Sequence, residues 1–156
     1  MAFAPVPLDT IISIMAETLP TSLDPADRDA VRKRGSLGAA SYLVELAHGA
    51  FEWAADWWQA VRLDETAVVG CVMPVVYAEG PRDGGDEGTI LHMGVVPAYR
   101  GRGIGELLLA RATDLLLDHG VWRIYCDTAA TNTPMIAAFT RQGWTRQAPH
   151  EAPYWG

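Results

Sequence analysis

Residues 94–109, GVVPAYRGRGIGELLL, carry the most informative pattern in the chain. Three glycines, Gly101, Gly103 and Gly105, lie between an apolar strand pattern and a strong helical pattern. Glycines at such a junction let backbone N–H groups crowd together and approach a ligand with no side chain in the way. The first turn of the helix adds unpaired N–H groups and the positive end of the helix dipole. The segment therefore predicts an anion-binding loop whose natural occupant is a phosphate or pyrophosphate.

The residues around these glycines narrow the kind of anion site. Arg100 and Arg102 add formal positive charge beside the loop. A dinucleotide fingerprint, G-x-G-x-x-G, needs a further glycine where the chain has Glu106 and Leu108, and a P-loop needs a Gly-Lys-Ser/Thr ending. Lys33 is the only lysine in the chain. Both common nucleotide-binding motifs are thus excluded. The alternative to an anion site is a tight turn that leads into the helix and binds no ligand.

Composition and cysteine usage bound the class of protein. The chain has 156 residues, 49% hydrophobic and 20% charged, which predicts one globular domain over residues 1–156 and excludes disorder. No apolar run reaches the roughly 20 residues of a membrane helix, and the first 20 residues lack the basic segment of a signal peptide. Cys71 and Cys126 lie in apolar runs without metal-ligand spacing. We therefore expect a cytoplasmic domain with no metal and no membrane contact.

The charge distribution favours the second half of the chain as the ligand site. The net charge of −7 argues against a nucleic acid as partner. Residues 1–88 carry 14 acidic and 6 basic residues, whereas residues 89–156 carry 5 and 6. A small phosphorylated ligand is therefore expected in the second part. The acidic first part either attracts a cation or is a solvated surface.

Hydrophobic periodicity predicts helices first, then strands and helices in alternation. The early helices, broken at Gly35 to Gly38, are Leu8–Leu19 with Asp9 as cap, Asp24 to Arg34, and Ala39–His48. The later strands are predicted at Trp57–Leu63, Thr66–Tyr77, Thr89–Val96, Val121–Asp127 and from Trp144 to Gln147. The later helices are predicted at Gly103–Asp118 and from the cap Thr133 to Gly143. The first two strands form a hairpin at Asp64-Glu65. This order predicts an α/β or α+β sandwich around one mixed sheet, with no opening strand.

Arg100, Gly103 and Gly105 fit the pattern Arg/Gln-x-x-Gly-x-Gly/Ala. With the strand LHMGVVP before it and the long helix after it, this segment resembles the acyl-CoA-binding motif of the GNAT N-acyltransferase superfamily. Asp127–Trp144 is similar to the strand–Asn–helix–Gly–aromatic segment of that family, and WWQAVRLDETAVVGCVMP resembles its second and third strands. The likeness covers about residues 53–147 and leaves 1–50 as a helical N-terminal part. It implies a mostly antiparallel mixed sheet flanked by helices, with a splayed central strand pair.

The resemblance also implies a site for acetyl-CoA as co-substrate. Backbone groups of Val95 and Val96 would pair with the pantetheine arm, and Asn132 would lie beside it, close to Phe139. The pyrophosphate would be held by N–H groups of the loop and the first helical turn, from Arg100, Gly101, Arg102, Gly103, Ile104, Gly105 and Glu106. A bulge near Met93-Gly94 would splay the strands and bring the N–H of Met93 to the thioester carbonyl, a contact worth about 3–4 kcal/mol in acyl transfer.

Transfer to an amine requires a neutral nucleophile. A lysine-like amine has a pKa near 10.4, so freeing its lone pair at pH 7 costs about 4–5 kcal/mol and predicts a general base or a water chain. His92 is the chemical candidate because the ordinary pKa of histidine lies near working pH, and Glu87 is the alternative. Thr89 holds the position where relatives often carry the base. Strand alternation places His92 on the face opposite Thr89 unless the bulge re-aims the side chain.

The position of the general acid, which would protonate the leaving thiolate, departs from the family pattern. Many relatives carry a tyrosine seven residues after the asparagine, and here that position is Phe139, which has no proton to give. We therefore expect solvent to protonate the leaving thiolate. Two hypotheses follow: an N-acetyltransferase that moves an acetyl group to a primary amine of a small molecule or peptide by direct attack, and a non-catalytic acyl-CoA sensor. The net negative charge disfavours an acyltransferase that acts on tRNA. Relatives in this family often form homodimers.

Two further features have alternative interpretations. The aromatic cluster Phe51, Trp53, Trp57 and Trp58 is either core or an apolar wall for the acceptor. Asp127, at a predicted strand end, either contacts the acceptor or caps a turn.

Overall fold

In a computed structural model of the chain, residues 1–79 and 85–146 are described. The strands are β1 (Ala2–Pro5), β2 (Phe51–Glu52), β3 (Gln59–Arg62), β4 (Val68–Tyr77), β5 (Glu87–Val95) and β6 (Arg123–Ile124). The helices are α1 (Leu8–Thr18), α2 (Pro25–Ala50), α3 (Ile104–His119) and α4 (Thr133–Arg141). Short 3-10 turns follow α1 at Leu19–Thr21 and β5 at Pro97–Tyr99.

The strands form one mixed, mostly antiparallel sheet in the order β1-β3-β4-β5-β6, and β2 pairs with β4. Only the β5–β6 pair is parallel among the described strands. The predicted fold class is therefore confirmed. The hairpin between β3 and β4 is also confirmed, because Asp64 Oδ1 accepts from the backbone N–H groups of Thr66 and Ala67 at 2.8 and 2.9 Å.

The expectation that helices open the domain is wrong. Residues Ala2–Pro5 form β1, which pairs antiparallel with Arg62–Gln59 of β3. A four-residue strand at the sheet edge shows too little alternation to be recognised, and its edge position tolerates a proline that lacks an N–H donor. Nor does Asp9 cap α1: that helix begins after Pro7 without a side-chain cap, and Asp9 lies in its first turn.

The predicted break near Gly35 is a kink inside one long element. Gly35 has φ 74° and ψ 168°, a conformation open essentially to glycine alone, and the helix resumes at once, so the two predicted helices form α2. Asp24 caps this helix as predicted, with Oδ1 accepting from the N–H of Ala26 at 2.9 Å.

The C-terminal elements differ from the sequence prediction in three ways. The strand predicted over Val121–Asp127 is reduced to the two residues of β6. Asn132, not Thr133, caps α4, with Oδ1 accepting from the N–H of Met135 at 3.4 Å. No strand is assigned to residues 144–146, and Gln147 and the aromatic tail lie outside the described residues.

Helices cover both faces of the sheet because β4 alternates apolar side chains to each side. One cluster joins α1 and α2 to the sheet through Ile11, Met15, Ala40, Val44, Cys71, Met73 and Val75. The other joins α3 to it through Ile104, Leu108, Ala112, Val61, Val69 and Val72. Trp57 and Trp58 are buried, and Trp53 stacks on Trp58 with ring centroids 4.2 Å apart, which supports the core interpretation of the aromatic cluster. Among the described helices, none is long and apolar enough to cross a membrane.

We predict that Gly35→Ala destabilises the protein by about 1–3 kcal/mol, because a Cβ strains the backbone at this φ and ψ. Gly49→Ala is the matched control: Gly49 is exposed, has no positive φ and leaves open space for a Cβ. We expect the control to be neutral or slightly stabilising. Urea unfolding of the three proteins measures the difference, and equal stabilities of both variants would contradict the kink.

Candidate active site

An irregularity in the β4–β5 ladder shapes the site. Met73 pairs with His92 and Pro74 pairs with Ile90, so Leu91 is an extra residue in β5. The bulge therefore lies at Leu91, and its predicted position near Met93-Gly94 is wrong. Val69 directs its carbonyl to β5, so by alternation Pro74 directs its backbone groups to the opposite edge of β4, where its carbonyl accepts from the Trp58 Nε1–H at 3.2 Å. The missing N–H of Pro74 therefore removes no hydrogen bond from the β4–β5 ladder.

The bulge decides which way the side chains of β5 point. Ile90 and Met93 pack against the α3 cluster, whereas Leu91 packs against the α1–α2 cluster. His92 also points to the α1 side, where its ring contacts Thr18. Met73 and Val75, the partners of His92 and Thr89, belong to the same cluster, so the bulge brings His92 to the face of Thr89, which strict alternation does not allow.

The strands β5 and β6 separate after a short contact. Among the described residues, β6 pairs with β5 only at Glu87 and Gly88, and the Tyr125 N–H donates to the Gly88 carbonyl at 3.0 Å. Beyond this point a cleft of about 730 Å³ opens between residues 90–95 of β5 and the chain after β6. The splayed strand pair is therefore present.

The open edge of β5 exposes backbone donors to the cleft. The Val96 N–H donates to the Val69 carbonyl at 2.8 Å. By antiparallel alternation, Met93 and Val95 then direct their N–H groups to the opposite, unpaired edge. Val96 does not have this freedom, because its N–H is used and its carbonyl accepts from the Tyr99 N–H at 2.9 Å. Of the two predicted pantetheine contacts, only Val95 offers a free N–H.

The glycine loop presents unpaired N–H groups at one end of the cleft. Gly101 and Gly103 have φ of 80° and 78°, and no atom lies within 4 Å of a Cβ built at either of them or at Gly105. In the described part of the chain, no backbone N–H from Gly101 to Glu106 donates to a protein group. The α3 N-terminus also lacks a side-chain cap. This array has the donors and the room that an anion requires.

Arg100 differs from the expectation in two ways: its backbone N–H is not free for the pyrophosphate, because it donates to the Pro97 carbonyl at 3.3 Å, and its guanidinium is not free beside the loop. Its guanidinium donates to the carbonyls of Val95, Thr18 and Thr21 at 3.0 to 3.2 Å and to Thr21 Oγ1 at 2.7 Å. Arg100 thus ties the loop to the C-terminal end of α1. Arg102 lies over the Tyr99 ring, 5.2 Å from its centroid.

The other residues of the loop and of α4 lie along the same cleft. Glu106 pairs with Arg141, and the Gln142 side-chain amide donates to the Glu106 carbonyl at 2.8 Å. The side chains of Asn132, Phe139 and Asp127 also line the cleft. Asp127 accepts from the Tyr125 hydroxyl at 3.1 Å.

His92 lines the cleft as predicted, but it does not titrate near working pH. Burial lowers its pKa to about 4 from the ordinary 6.5. Thr89 is only 8% exposed, lies outside the cleft lining, and its hydroxyl faces Cys126 Sγ at 3.8 Å. Glu87 is held by Arg123, whose Nε donates to its carboxylate at 2.7 Å.

Cys126 lies at the cleft but is not a poised nucleophile, because burial raises the pKa of its thiol to about 11. No group of three or more potential metal ligands is present in residues 1–79 and 85–146.

The sequence missed one wall of the cleft. It is formed by the end of α1 and the start of α2, through Thr18, Thr21, Ser22, Leu23, Asp24 and Asp27. Burial raises the pKa of Asp27, although the Ser22 hydroxyl donates to its carboxylate at 2.6 Å. These residues precede His92 by about 70 positions, and no spacing in the sequence signals their approach.

The fold and the cleft define an α/β domain with an anion-binding loop at the mouth of a splayed sheet. Residues 22–144 match the model of the Acetyltransferase (GNAT) family. The chain belongs to this family of acetyl-transferring enzymes.

Curated and solved relatives show the same likeness. Streptothricin acetyltransferase of Streptomyces lavendulae is 32% identical over 68 residues, 44% of this chain and 36% of the relative. Mycothiol acetyltransferase of Catenulispora acidiphila is 32% identical over 72 residues, 46% of this chain and 21% of the relative. The chain therefore matches about a third or less of the length of these relatives. The ribosomal-protein-alanine N-acetyltransferase structure of Brucella melitensis covers 99% of this chain and 100% of its own at 16% identity and a TM-score of 0.68, a likeness of fold.

We predict that Gly105→Glu weakens the binding of coenzyme A at least about tenfold, because a carboxylate enters the space that the loop leaves open for a diphosphate. Gly105 has no positive φ, so the change does not strain the backbone. Gly49→Glu adds the same charge at an exposed glycine outside the cleft and serves as control. Calorimetry measures the affinities, and unchanged binding by Gly105→Glu would show that the loop does not hold the anion.

We predict that the titration of His92 lowers the free energy of unfolding as the pH falls from 6.5 to 4. Its folded pKa of about 4 is below the ordinary 6.5, so the unfolded chain binds more protons in this window. The full effect is at most about 3 kcal/mol. Urea unfolding at pH 7, 5.5 and 4.5 should show a shallower loss for His92→Gln than for the parent. His119→Gln changes an exposed histidine as control, and parallel curves for His92→Gln and the parent would contradict the shift.

Proposed function

We propose that the protein transfers an acetyl group from acetyl-CoA to a primary amine, giving an amide and free coenzyme A. The observation that carries this proposal is the continuity of one cleft. It runs from the unpaired N–H groups of residues 101–106, along the open edge of β5, to His92 and the end of α1. One end suits a diphosphate, and the other leaves room for an acceptor.

The residues present fit the co-substrate. The N–H groups from Gly101 to Glu106 would hold the pyrophosphate. Val95, with its N–H on the open edge, would bind the pantetheine arm as an added strand, and Asn132 would lie beside it across the splay. Met93 has its N–H on the same edge and would donate to the thioester oxygen, where negative charge develops during attack by the amine.

The acceptor is proposed to be a small-molecule or peptide amine that enters beside α1 and α2. Two carboxylates, Asp24 and Asp27, line this part of the cleft. They suit a cationic acceptor better than a phosphorylated one. Two curated relatives are named streptothricin acetyltransferase and mycothiol acetyltransferase. These names are compatible with a small acceptor that carries an amine.

His92 is proposed as the group that receives the proton of the attacking amine, directly or through a water. With a pKa of about 4 the ring is neutral at working pH and its lone pair is available. The same low pKa makes it a weak base. It therefore acts as the amine bonds to the thioester and its proton becomes acidic, and not by deprotonating a free ammonium ion. Phe139 has no proton to give, so solvent protonates the departing thiolate.

A second function, a non-catalytic acyl-CoA sensor, is favoured by two observations. Phe139 stands where relatives carry an acidic tyrosine, and His92 is a weak base. Such a module would bind acetyl-CoA with the same loop and show no turnover.

Thiol release from acetyl-CoA over a panel of amines separates the two functions. We expect release with at least one amine, and a loss of about 10² in kcat for His92→Gln with an unchanged KM for acetyl-CoA. His119→Gln is the control for a histidine away from the cleft. Tight binding of acetyl-CoA without release on any amine, peptide or aminoglycoside would overturn the enzyme and support the sensor.

A further inference from the structure

We propose that Thr18 is a positioning residue that fixes the tautomer of His92, accepting the ring Nε2–H so that the Nδ1 lone pair stays free for the cleft. The inference rests on the proposed role of His92 as proton acceptor. It assigns a function to the end of α1, which no motif in the sequence marks.

The contact between the two residues joins distant parts of the chain. Thr18 Oγ1 lies 3.1 Å from His92 Nε2 and 3.1 Å from the carbonyl of Met15. Thr18 is only 2% exposed, so water does not replace either of these hydrogen-bond partners of its hydroxyl. Among the described residues, no group is hydrogen-bonded to Nδ1 of His92.

The single proton of the hydroxyl decides the tautomer. A threonine hydroxyl has one donor and two acceptor lone pairs, whereas a carbonyl can only accept. When the Thr18 hydroxyl donates to Met15, it must accept from His92, and the ring proton is then on Nε2. The neutral ring carries only one proton, so Nδ1 is left as the acceptor nitrogen.

The neighbouring residues hold this geometry. A Cβ at Gly94 would lie 2.9 Å from Thr18 Oγ1 and 3.0 Å from His92 Nε2, so the contact requires a glycine there. Arg100 donates to the carbonyl of Thr18 at 3.2 Å and to Thr21, which fixes the end of α1 against the glycine loop. The position of the Thr18 hydroxyl is thus set from both sides.

Long-range ¹H–¹⁵N spectra of protein labelled at histidine ring nitrogens test the tautomer at pH 7 without substrate. His92 is assigned from the signal that His92→Gln removes. We expect a protonated Nε2 and an unprotonated Nδ1 in the parent and in Thr18→Ser, and a mixture in Thr18→Val, which keeps the shape without the hydroxyl. Gly94→Ala should give the same mixture by pushing the ring away, and it replaces Thr18→Val if that variant does not fold.

Kinetics complete the test. We expect Thr18→Val to lower kcat about tenfold or more with an unchanged KM for acetyl-CoA, and Thr18→Ser to restore it. A protonated Nδ1 in the parent, or a tautomer that Thr18→Val leaves unchanged, would overturn the inference while leaving the acetyl transfer proposal intact. If the tautomer depends on Thr18 but His92→Gln keeps full turnover, the tautomer assignment is supported and the role of His92 in the reaction is overturned.

Discussion

The bulge at Leu91 in the β4–β5 ladder is the constraint on which the orientation of His92 in the cleft depends. Met73 pairs with His92 and Pro74 pairs with Ile90, so Leu91 is an extra residue in β5. The bulge turns His92 towards α1, which strict alternation from Thr89 does not allow. Beyond the bulge, β5 keeps its pairing to β4 on one side and leaves the other edge open. The bulge thus sets the orientation of His92, and the open edge of β5 follows from the shortness of β6.

A second coupling joins the glycine loop to the end of α1 through Arg100. In the sequence its charge belongs with the glycine loop, but in the structure four hydrogen bonds commit the guanidinium to Val95, Thr18 and Thr21. The carbonyls at the end of α1 carry the negative end of the helix dipole, so a cation is well placed there. The N–H groups of the loop and the N-terminus of α3 are then the donors left for the proposed anion site. Arg100 holds the loop in place beside the end of α1.

The sequence predicted those parts of the fold and site that rest on local patterns. The glycine loop, the long apolar stripe of α3 and the β3–β4 hairpin each follow from spacing or turn chemistry within about 20 residues. What it missed rests on contacts between distant segments. β1 was not predicted because four residues with a proline carry no period, and Thr18 was not predicted because its partner lies 74 positions away. The bulge was placed two residues too late because it depends on the pairing of β5 with β4, which local spacing does not show.

The weak basicity of His92 bears on which amines the cleft can acetylate. Removing a proton from a lysine-like ammonium of pKa 10.4 by a group of pKa about 4 is unfavourable by about 6 pKa units, or about 8 kcal/mol. The amine must therefore lose that proton to solvent before attack, which costs about 4–5 kcal/mol at pH 7 for a lysine-like group. For an amine with a pKa near 8, such as an α-amino group, the cost is only about 1.4 kcal/mol. In the proposed reaction, acceptors whose amines are weakly basic would therefore be favoured.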